Sequence, residues 1–66
     1  YMTKQEAIQQ MLKGNKMTHY NFSSEEWVSM LDEETIILED GVKCSPKEFW
    51  RWRQGNSWEV DWDFWL

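Results

Sequence analysis

The spacing of apolar residues changes period along the chain. Ala7, Ile8, Met11 and Leu12 recur at the three- and four-residue intervals of one helical face. Ahead of them, Thr3-Lys4-Gln5-Glu6 has the spacing of a capping box, in which the Thr hydroxyl and the Glu carboxylate each satisfy a backbone N–H at the helix start. Gly14 is placed to end that helix. Over 16–20 the pattern turns to alternation, with Met17 and His19 on one side and Thr18 and Tyr20 on the other, which predicts a short strand. Ser23-Ser24-Glu25-Glu26 offers a second cap for one helical turn, and 27–31 extends from it as a strand beginning at Trp27.

Asp32-Glu33-Glu34 is a polar turn, followed by a strand over 35–39 that is rich in β-branched residues. Asp40-Gly41 fits a two-residue hairpin turn whose central residues both need positive φ, with 42–44 as the returning strand. Ser45-Pro46-Lys47-Glu48 sets Ser at the cap, Pro at the first helical position and Glu at the third. The helix it starts is expected to run through Phe49, Trp50, Arg51, Trp52 and Arg53 and to end near Gly55. Residues 58–66 alternate strictly. Trp58, Val60, Trp62, Phe64 and Leu66 point one way, and Glu59, Asp61, Asp63 and Trp65 the other, as in a half-buried strand with one acidic face. Residues 1–66 thus read as a single α+β domain, a small antiparallel β-sheet of four to five short strands with two short helices.

Composition sharpens this picture. A chain of 66 residues builds only a thin core, and eleven aromatics, six of them Trp, compensate because each large ring buries roughly 150–250 Å². The single Cys excludes an internal disulfide, no apolar run approaches the ~18 residues of a membrane span, and no signal-peptide pattern opens the chain. Met2 reads as the natural first residue. A protein of the cytoplasm, without a membrane partner, is expected.

The net charge of −5 is unevenly spread. Residues 1–31 balance to zero, whereas 32–66 set Lys43, Lys47, Arg51 and Arg53 against nine acids. Duplex nucleic acid is therefore disfavoured as a direct partner, since phosphate contacts supply most of such affinity. Catalysis finds little support. His19 and Cys44 lie in no nucleophile motif, there is no Cys/His cluster for zinc, and the three glycines are too scattered to cradle phosphate. No enzyme, cofactor or metal site is expected.

Two constellations suit binding. In 49–53, indoles alternate with guanidinium groups, which stack on bases and grip phosphate oxygens respectively. Trp50, Trp52 and Trp27 are candidates to stack on a base, Arg51 and Arg53 to hold phosphate, and Lys16 and His19 to complete the pocket. The acids Glu33, Glu34, Glu59, Asp61 and Asp63 could instead form one negative surface that imitates a phosphate backbone and occupies a basic groove. Trp65, on the acidic face of the last strand, is the candidate for a subunit or partner contact, and a homo-oligomer would relieve the thin core.

The run Glu6-Ala7-Ile8, Met11, Gly14-Asn15-Lys16, His19 and Phe22-Ser23-Ser24-Glu25-Glu26-Trp27 resembles small uncharacterised proteins of phages and prophages of Gram-positive hosts. Glu39-Asp40-Gly41 and Phe49-Trp50-Arg51-Trp52-Arg53 with Trp58 continue the likeness. The opening third is also similar to the phage sponge family that counters Thoeris defence, although it is shorter and has His19 where that family's first strand carries Arg. The resemblance implies a viral anti-defence protein of the host cytoplasm, a small oligomer that sequesters a nucleotide immune signal without cleaving it. The alternative is an acidic protein–protein inhibitor of DNA-mimic or anti-CRISPR type that blocks a host nuclease or effector.

Overall fold

In the computed structural model, which describes residues 2–66, the chain folds as a five-stranded antiparallel sheet with two helices against one of its faces. Helix α1 spans Lys4–Leu12 and starts with the full capping box, Thr3 Oγ1 accepting from the Glu6 N–H while Glu6 accepts from the Thr3 N–H. It ends in a Schellman turn. The Gly14 N–H donates to the Met11 carbonyl and the Asn15 N–H to the Gln10 carbonyl, with Gly14 at φ 95°.

The strands are β1 (Met17–His19), β2 (Val28–Asp32), β3 (Thr35–Leu38), β4 (Lys43–Cys44) and β5 (Trp62–Phe64). Their order is β4-β3-β2-β1-β5, so β2, β3 and β4 form a local meander and β5 returns to the outer edge of β1. Register puts Met17 opposite both Val28 and Phe64, and Met30 opposite Ile36. Met17, Val28, Met30, Ile36 and Trp62 therefore share one face. There they are buried with Ala7 and Met11 of α1 and with Phe49 of helix α2 (Pro46–Arg51). Burying an aliphatic or aromatic side chain of this size contributes about 1.5–3 kcal/mol, and so small a cluster must be supplemented by polar ties.

Four local expectations are corrected. The hairpin between β3 and β4 has a three-residue loop. The Gly41 N–H closes a turn on the Leu38 carbonyl and the Leu38 N–H pairs with the Val42 carbonyl, so only Gly41, at φ 86°, takes the left-handed conformation. The stretch 23–26 makes a single hydrogen-bonded turn, with no helix. Helix α2 begins on Ser45, whose Oγ accepts from the Glu48 N–H, and stops at Arg51, before the expected Arg53.

The largest correction concerns 58–66. In place of a nine-residue strand there is a 3-10 turn over Asn56–Trp58, then Asp61 at φ 68°, then only the three residues of β5. Alternation over this stretch is coincidental, because Trp58 and Trp62 meet as neighbours around a turn. The Trp62 indole N–H donates to the Trp58 carbonyl at 2.8 Å. Met2 bridges the outer side of Trp62 through two backbone hydrogen bonds.

Candidate functional site

Helix α2 and the turn after it carry Lys47, Trp50, Arg51 and Gln54 at the three- and four-residue spacing of one helical stripe. This stripe faces Lys4 at the start of α1, and with Glu48 these residues line an open groove of about 760 Å³. Small-molecule sites commonly span ~300–1,000 Å³. Trp50 is fixed from within by edge-to-face contacts with Phe49 and Trp62, ring centroids 4.8 and 5.6 Å away. Its half-buried indole is thus rigidly presented. The Lys4 ammonium lies 4.4 Å from the Trp50 ring centroid and 3.8 Å from a Glu59 carboxylate oxygen, and the Lys4 N–H is held by the Glu59 carbonyl. Three cations against Glu48 make this lining positive in a chain of net charge −5.

The residues expected to form one nucleotide pocket are divided among several places. Trp50 and Arg51 line the groove. Trp52 caps the end of α2, 80% exposed, with the Arg51 guanidinium 5.8 Å from its ring. Arg53 turns inward. Its guanidinium stacks 4.1 Å from the Phe49 ring, comes within 5.9 Å of Phe22 and Trp58, and donates to the Phe49 carbonyl. Arg53 thus spends its cation on aromatic packing. Lys16 and Trp27 lie on the opposite face of the sheet, where the Lys16 ammonium sits 4.6 Å from Trp27 and 5.6 Å from Trp65.

His19 is a core residue and lies outside the groove lined by Trp50 and Arg51. It is 4% exposed. Its Nδ1 accepts from the Asn21 N–H, which makes Nε2 the protonated nitrogen, and that N–H is shared between the carbonyls of Ser57 and Val60 at 2.7 and 2.8 Å. Its ring stacks on Trp58 at 4.3 Å and meets Trp62 and Phe22 edge-on. Both ring nitrogens are engaged, Nε2 in pinning the turn before β5 and Nδ1 in holding the chain at Asn21 after β1.

The acids do not make one surface. Val28 and Phe64 lie level because both pair with Met17, and the two-residue Glu33-Glu34 turn is about five residues further along β2, ~16 Å away. Glu59 and Asp61 precede β5 and lie in the opposite direction. Glu59 is tied to Lys4. Asp61 and Asp63 flank a shallow depression with Thr18 and Tyr20, and Asp63 caps the Phe64 N–H. Trp65 is half-buried, its ring 6.2 Å from Trp27 and its indole N–H donating to the Ser24 carbonyl, so much of it is used within the chain.

Lys4, Lys47 and Gln54 enter the site without having been expected there. Lys47 and Gln54 were signalled by their spacing from Trp50 and Arg51; Lys4 arrives through tertiary packing and had no local signal. Beside the groove, Cys44 is half-buried, and burial pushes its thiol pKa up, with Glu48 adding to the effect and Arg53 opposing it. Among the described residues no group of three or more His, Cys, Asp or Glu side chains is placed to hold a metal ion, and no helix is long and apolar enough to cross a membrane. Comparison with protein-family models, curated proteins and solved structures returns no match.

Proposed function

We propose that the protein is a non-enzymatic binding protein that sequesters a small anionic nucleotide in the groove between α1 and α2. The observation carrying this reading is a rigid, half-exposed Trp50 ringed by Lys4, Lys47 and Arg51 on an otherwise acidic chain. An indole face accepts a base by stacking, worth roughly 1–3 kcal/mol. Arg51 can fork onto phosphate oxygens, with the two ammonium groups adding charge. The resemblance to phage proteins is what suggests a counter-defence role in the host cytoplasm, with an immune nucleotide signal as the cargo. Dispersal of Glu33, Glu34, Glu59, Asp61 and Asp63 gives no comparable support to a DNA-mimic inhibitor.

The test is Trp fluorescence and thermal shift against cyclic nucleotides and ADP-ribose derivatives. At a hundredfold excess over Kd, binding stabilises by about 2.7 kcal/mol, a rise of roughly 10–20 °C for a domain of this size. Arg51→Ala should remove that rise while leaving the unliganded melt within a degree or two, because Arg51 is exposed. A flat response of the wild type across the panel would sink the reading.

A further inference from the structure

Lys4–Glu59 is the only salt bridge among the described residues. Lys47 and Arg51, one turn apart on α2, line the groove with no carboxylate within salt-bridge distance, whereas Lys4 is already held between Glu59 and the Trp50 ring. The three cations are therefore not equivalent to an incoming anion. A first phosphate finds Lys47 and Arg51 free. A second phosphate gains Lys4 only by displacing Glu59.

Resting on the nucleotide-binding reading above, we infer that Glu59 is an internal competitor for Lys4, and that the Lys4–Glu59 pair sets how the groove discriminates nucleoside diphosphates from monophosphates. Lys4 can serve as such a contact because only its side chain need move. Its backbone stays fixed by the capping box at Thr3 and by the hydrogen bond to the Glu59 carbonyl. Its ammonium is loosely held, since the pair is at 3.8 Å and Glu59 is largely exposed. Glu59 keeps Lys4 over the indole until an anion stronger than one carboxylate arrives.

The experiment is titration of the full chain and its Glu59→Gln variant with ADP and AMP, read by Trp quenching at ~150 mM salt. Exposed ion pairs of this kind are weak, so Glu59→Gln should tighten ADP by roughly 1.4- to fivefold while moving AMP much less. Lys4→Gln should weaken ADP toward AMP, and on that background Glu59→Gln should have no further effect, giving a coupled double-mutant cycle. An equal gain for ADP and AMP would reduce Glu59 to bulk charge and overturn the inference, as would unchanged ADP affinity in Glu59→Gln. Additive single effects would overturn it too. If the wild type binds neither nucleotide, nor any member of the wider panel, the binding site itself is refuted and the competitor role falls with it.

Discussion

Replacing His19 with Phe keeps a flat ring between Trp58, Trp62 and Phe22 but removes every hydrogen bond the imidazole makes. The Ser57 and Val60 carbonyls lose their shared donor and the Asn21 N–H loses its acceptor. A backbone group left unpaired away from water costs about 1–3 kcal/mol. The two carbonyls share one donor and the turn is only partly buried, so the total is taken as ~2–4 kcal/mol. A 66-residue domain has roughly 3–10 kcal/mol to lose at ~0.05–0.15 kcal/mol per residue. His19→Phe should therefore remove a large share of the stability. In a urea titration followed by Trp fluorescence, with a slope near ~1 kcal/mol/M, the midpoint should fall by ~2–4 M. A loss below ~1 kcal/mol would refute the reasoning. It would mean that water replaces the imidazole at these backbone groups and that ring stacking alone holds the turn.

Two further outcomes follow from single positions. Gly41→Ala meets no atom within 4 Å of the new Cβ, so its cost is purely that of a positive φ, about 1–2 kcal/mol and a melt lower by several degrees; an unchanged melt would contradict the three-residue hairpin. The raised Cys44 pKa means that the folded chain holds the thiol proton more tightly than the unfolded chain, which makes ν_N exceed ν_U as the pH climbs. This contribution is complete below the ordinary thiol pKa and is lost as the pH rises through the folded value. Cys44→Ser should thus flatten the alkaline fall in stability, and the native thiol should react with iodoacetamide more slowly at pH 8 than a free cysteine does.

What could be read along the chain was local. The capping box at Thr3 and the Ser45-Pro46 start of α2 are short-range chemistry and fold as their spacing dictates. The β2 and β3 strands were likewise visible in the run of β-branched and apolar residues, as was the turn between them. Residues 58–66 misled because alternating residue types do not record backbone dihedrals, and Asp61 in a left-handed conformation resets the face of everything after it. The site was half legible for the same reason. Trp50 and Arg51 stand beside each other on α2, but Lys4 reaches them from the far end of the chain. Arg53 and His19 have the residue types of a binding pocket, yet the packing of Phe49, Trp58 and Trp62 draws them inward.

The return of β5 to β1 has a kinetic consequence. The β2–β3–β4 meander closes over short turns, whereas β1 meets β5 only after a loop of about forty residues has been drawn together. Folding is then expected to divide into an early local phase and a late closure in which Trp62 slides between β1 and Met2. Both walls of the groove between α1 and α2 wait for that second phase, because Trp50 leans on Trp62 and Lys4 is anchored through Glu59. The groove is then expected to be the last part of the molecule to form, and a ligand that occupies it, added during refolding, should leave the early phase untouched while pulling the final closure to completion.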